Sequence, residues 1–66
     1  MAQSKLAEAR IKTGFTQVKV ADTAKVSIRA YQRYESGKRT PDADVAVRIA
    51  KALGTNVEAL FTKPNQ

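Results

Sequence analysis

Apolar residues recur along this chain every three or four positions and never alternate, the spacing of helices buried on one side. Leu6 and Ala9 carry that spacing up to Gly14, and Ser4 is placed to cap a first helix running to about Thr13. Thr16 offers a second cap. Val20, Ala21 and Ala24 follow on one face and predict a short helix ending near Lys25. Ser27 caps a third helix so soon afterwards that helices two and three cannot run antiparallel and must cross steeply. Laid out at about 100° per residue, helix three divides into Ser27, Ala30, Tyr31 and Tyr34 on one side and Ile28, Arg29, Gln32, Arg33 and Ser36 on the other. Gly37 ends it, Pro41 holds Thr40 extended, and Asp42 caps helix four. That helix, about Ala43 to Leu53, aligns Val45, Ala46, Ile49, Ala50 and Leu53 in one stripe and stops at Gly54. Asn56 caps a last short helix through Phe61, and 62–66 reads as a flexible tail.

The expected architecture is all-α: a compact five-helix bundle with a helix-turn-helix, one domain over 1–66 with its core at about 4–61. The hydrophobic set is Leu6, Ala9, Val20, Ala21, Val26, Tyr31, Tyr34, Val45, Ile49, Leu53, Leu60 and Phe61. Each helix is shorter than the ~12–15 residues that persist alone in water, so the fold depends on this shared core. Both tyrosines belong to it rather than to a stacking platform.

Composition narrows the function. The 66 residues include no cysteine, which excludes disulfides and thiolate metal sites and fits a reducing compartment. No run approaches the roughly 18 apolar residues of a membrane span, and residues 1–15 lack a signal-peptide core, so a soluble, cytoplasmic protein is expected. The start at Met1 and the polar tail point to a whole small protein. Net charge is +6, and its placement matters more than its size. From Lys12 to Arg39 there are seven bases against two acids, while the remaining residues carry five bases against four. The excess is thus central, as an electrostatic footprint for a polyanion requires. Histidine is absent, the acids are scattered singly and no Gly-rich phosphate loop occurs, so neither an enzyme nor a cofactor is expected.

Arg29 and Arg33, spaced i, i+4, repel by roughly 0.2–0.5 kcal/mol, and Arg29 in a first helical turn opposes the macrodipole. Folding gains little from either. A DNA major groove does: arginine presents a donor pair to guanine, Gln32 suits adenine, and Ile28 suits a thymine methyl. The bland alternative is a solvated polar face with Ile28 a stray surface aliphatic. Lys19 in the first turn of helix two becomes favourable once a phosphate docks on the amides of Gln17 and its neighbours. Ser27, besides capping, is placed to touch phosphate, and Lys38, Arg39 and Thr40 form a second clamp after helix three.

Six pieces of the chain resemble the phage repressor and Cro-like helix-turn-helix family, the xenobiotic-response-element type. They are "GFTQ" (Gly14 to Gln17), Ala21, "VS" (Val26 and Ser27), "YESGKRTP" (Tyr34 to Pro41), "RIAKALG" (Arg48 to Gly54) and "ALF" (Ala59 to Phe61), in family order over about residues 5–61. The resemblance implies a lambda-repressor-like fold and a sequence-specific regulator of transcription, a repressor, whose helix three reads the major groove of double-stranded DNA. It also implies a homodimer on a two-fold symmetric operator, with a dimer surface expected near Val57 and Leu60, and a structural ion pair between Arg10 and Glu35. No membrane or small-molecule partner is implied. Three departures stand out. Lys25 occupies the turn position the family usually gives to Gly, Lys19 replaces an acid that would complete a capping box, and Ala9 with Tyr31 replaces a larger and a smaller core residue, which reads as volume compensation. The alternative readings are a protein-interaction module of the same fold, of antitoxin or coactivator-bridge type, and a basic domain that binds RNA or any polyanion without sequence preference.

Overall fold

The computed structural model describes residues 4–61. Five helices follow one another: α1 (Lys5–Thr13), α2 (Gln17–Ala24), α3 (Ile28–Ser36), α4 (Ala43–Ala52) and α5 (Val57–Phe61). The described residues contain no strand. The expected tail at 62–66 lies outside them.

Every helix starts on a polar side chain. Oxygens of Ser4, Thr16, Ser27, Asp42 and Asn56 accept from the amides of Ala7, Lys19, Ala30, Val45 and Ala59 at 2.8–3.1 Å. A cap of this kind contributes about 1 kcal/mol, which matters for helices of five to ten residues. The ends differ. α1 and α3 stop on Gly14 and Gly37 in left-handed conformation, but α2 stops on Lys25 at φ 62°, ψ 44°. A side chain in that region costs on the order of 1–2 kcal/mol. The turn is nonetheless fully closed, since the Lys25 amide donates to the Ala21 and Asp22 carbonyls and the Val26 amide donates to Ala21 at 3.0 Å. This short turn sets α2 and α3 across each other.

Tyr31, Leu6, Ile49 and Val20 are the largest fully buried side chains, with Ala21, Tyr34, Leu53 and Leu60 around them. Two expectations need correction. Ala9, Val26, Val45 and Phe61 only border the core, whereas Ala7, Ala24, Ala46 and Ala50 are inside it. α2 packs chiefly on α4, and alanines on both helices (Ala21 and Ala24, Ala46 and Ala50) are enclosed at that contact together with Val20 and Ile49. The dimer surface expected near Val57 and Leu60 is not exposed. Leu60 is 4% accessible and Val57 packs against the core, because α5 spends its apolar side closing the bundle over α1 and α4.

Candidate nucleic-acid interface

The outer side of α3 is open. Arg29, Gln32 and Arg33 are exposed, and Ile28 is 38% accessible despite being aliphatic. Among the described residues the ion pairs are Arg10 with Glu35 and Arg48 with Asp44; neither Arg29 nor Arg33 folds back onto a carboxylate. Their relation to the helix dipole is not the same. Arg29 opposes it in the first turn, but Arg33 lies in the last turn, where a cation is favoured, so the dipole penalty applies to Arg29 alone while the i, i+4 repulsion is shared by both.

Exposed bases flank this face. Lys19 stands in the first turn of α2, which carries no acid. Lys38, Arg39 and Thr40 are exposed in the loop after α3, and that loop is shaped by the amides of Lys38 and Arg39, both donating to the Arg33 carbonyl at 3.0 and 3.3 Å. Ser27 is exposed too, its hydroxyl accepting from Ala30.

Behind the open face lies a polar cluster that joins α1, α2 and α3. The Arg10 guanidinium donates from Nε to Glu35 Oε2 at 2.5 Å and from Nη1 to the Phe15 carbonyl at 2.9 Å. The two side chains are 17% and 8% accessible. Burial by itself would raise the Glu35 carboxyl, but Arg10 first, then the Gln17 amide and Tyr31, hold it below the ordinary carboxylate range. Arg10 is raised in turn, chiefly by its hydrogen bond to Glu35 and against its own burial. Burial, followed by the neighbouring carboxylate, pushes the Tyr31 hydroxyl well above its usual value; that hydroxyl feels both charges yet meets the geometry of a hydrogen bond with neither.

Two further links run outward from this cluster. Gln17 Nε2 donates to Glu35 Oε1 at 3.0 Å, and Gln32 Nε2 donates to Gln17 Oε1 at 3.2 Å. Gln17 and Gln32, for which the sequence suggests separate contacts, are therefore joined to each other and to the ion pair. A second unforeseen contact is Arg48, which pairs with Asp44 at 2.5 Å and donates from Nε to the Ala24 carbonyl at 2.8 Å, beside the Lys25 turn. Arg48 and Asp44 are neighbours one turn apart on α4, but the Gln17–Glu35, Gln32–Gln17 and Arg48–Ala24 partners are 15 to 24 residues apart, so only the crossing of the helices brings those together.

Two helices locked across a tight turn, the second with its cations outward, define a helix-turn-helix protein. The family model described as helix-turn-helix matches residues 6–60, and the chain belongs to the phage repressor and Cro-like branch of that family. It is similar to the cryptic phage CTXphi transcriptional repressor RstR of Vibrio cholerae serotype O1 (strain ATCC 39315 / El Tor Inaba N16961), with 34% identity over 58 residues, 88% of this chain and 52% of the relative. The chain spans about half the length of the curated relative it matches.

Proposed function

We propose that this protein is a sequence-specific regulator of transcription, a repressor that binds double-stranded DNA in the cytoplasm with α3 in the major groove. The observation that carries the proposal is the pair of arginines, Arg29 and Arg33, that have no partner among the described residues and are set beside exposed Ile28 on the outer side of α3. A folded protein has no internal use for this combination. The groove supplies guanine edges for the arginines, a thymine methyl for Ile28 and adenine for Gln32. Lys19 with the first amides of α2, Ser27, and Lys38, Arg39 and Thr40 hold phosphates on either side, which fixes the register and supplies most of the affinity. The similarity to a phage transcriptional repressor supports the same reading.

One α3 covers only a few base pairs, so the operator is two-fold symmetric and the protein acts as a homodimer with half-sites about one helical turn apart. Sedimentation with and without operator tests this, and a monomer in both conditions removes the dimer. For the DNA reading itself, binding of Arg33→Ala and Lys38→Ala is measured on selected and random duplexes over a salt series. Arg33→Ala should relax base preference. Lys38→Ala should weaken all sequences alike and flatten the salt slope by about one unit. Equal losses on both duplexes for both variants would defeat direct readout.

A further inference from the structure

We propose that Glu35, acting through Gln17, sets which way the Gln32 amide faces, so that Glu35 and Gln17 are positioning residues for adenine recognition by Gln32. This rests on the reading of α3 as the base-reading helix and specifies how one of its contacts is prepared. An ionised carboxylate only accepts hydrogen bonds. The Gln17 atom 3.0 Å from Glu35 Oε1 must therefore be the amide nitrogen, and the Gln17 oxygen is turned the other way. That oxygen also only accepts, so the Gln32 atom 3.2 Å from it must again be nitrogen. The direction of donation is thus imposed at the buried end and handed outward through two amides. Gln32 is left with its oxygen and one N–H uncommitted on the exposed side, an acceptor and a donor, which is the set that the N6 amino group and N7 of adenine require.

The buried end is well held. Glu35 Oε2 accepts from Arg10 Nε at 2.5 Å, while Oε1 accepts from Gln17 at 3.0 Å and, at the longer distance of 3.4 Å, from Arg10 Nη2. The carboxylate is 8% accessible, which limits replacement of either partner by water. Without this anchor an exposed glutamine has two amide orientations of similar energy, and half of its population presents the wrong edge. A Gln32 prepared in advance also loses less freedom on binding than a loose one.

The test uses the full chain and duplexes it selects from a random pool. Gln32→Ala identifies the operator position whose adenine preference depends on that side chain. Gln17→Met keeps the length of the side chain and leaves Arg10 and Glu35 paired, but cannot relay. It should lower adenine preference at that same position by about 2- to 12-fold, with guanine preference at the arginine positions unchanged. A loss spread evenly over all duplexes, with adenine preference intact, overturns the relay. Should Gln32→Ala alter no operator position, the base-reading role of Gln32 fails first and the relay with it; if it does and Gln17→Met does not, only the relay falls. Glu35→Gln should repeat the effect of Gln17→Met in the same assay. In the free wild-type protein, the side-chain amide resonances of Gln17 and Gln32 should move together as acid protonates Glu35, and fixed resonances through that titration would also overturn the relay.

Discussion

Arg10 and Arg48 lie on the scaffold side of the molecule, Arg29 and Arg33 on its open side, and the four share a chemistry but nothing else. Each scaffold arginine holds one carboxylate and one backbone carbonyl: Arg10 takes Glu35 and Phe15, Arg48 takes Asp44 and Ala24. The two carbonyls flank α2, one just before it and one at its last residue. α2 is therefore clamped at both ends by side chains from α1 and α4, and the angle it makes with α3 is maintained from outside the short turn. The arginine side chains of α3 hold nothing among the described residues. What a guanidinium does in this protein is read from its partners, not from its charge.

The sharpest way to break that contrast is Arg10→Ala. It leaves Glu35 buried without a counter-charge and should cost about 3 kcal/mol of stability in urea denaturation; a cost near zero would put Arg10 among the open-face arginines. Acid tests the same pair. The Glu35 carboxyl titrates lower in the folded chain than its ordinary value of 4.5, so its contribution is complete above that pH and is lost as pH falls through the depressed folded value. Stability of the wild type should decline in that window, and that of Glu35→Gln should decline less. Arg29→Ala and Arg33→Ala should show the opposite balance, with stability within about 0.5 kcal/mol of wild type and operator binding weaker by about 1–3 kcal/mol. Arg48→Ala, which removes one tie beside the Lys25 turn, should cost about 1 kcal/mol. The smallest effect belongs to Lys25→Gly. Relief of the left-handed strain, set against the freedom glycine adds to the unfolded chain, should stabilise the fold by up to about 1 kcal/mol in thermal unfolding.

The helices were legible in the sequence because each begins on its own signal: Ser4, Thr16, Ser27, Asp42 and Asn56 all act within three residues of where they stand. The division of α3 into a buried and an open side was equally local, and Tyr31 and Tyr34 are buried as their spacing requires. What local spacing does not carry is the distance between helices. Ala46 and Ala50 read as members of an apolar stripe, yet only the close packing of α2 on α4 makes them more enclosed than Val45. The same limit hid Arg48 on the Ala24 carbonyl and Gln17 between Glu35 and Gln32, contacts that depend on how three helices cross.

The untethered state of Arg29 and Arg33 has a kinetic side. Each side chain carries about 2 kcal/mol of rotamer entropy, and with nothing to hold them the free protein keeps that disorder. In the function proposed above, phosphate attraction alone retains the protein on arbitrary sequence while these two arms go on sampling, which lets it slide. A matching sequence is the place where they freeze, so arrest at the operator would draw on enthalpy from the bases to offset the mobility surrendered there.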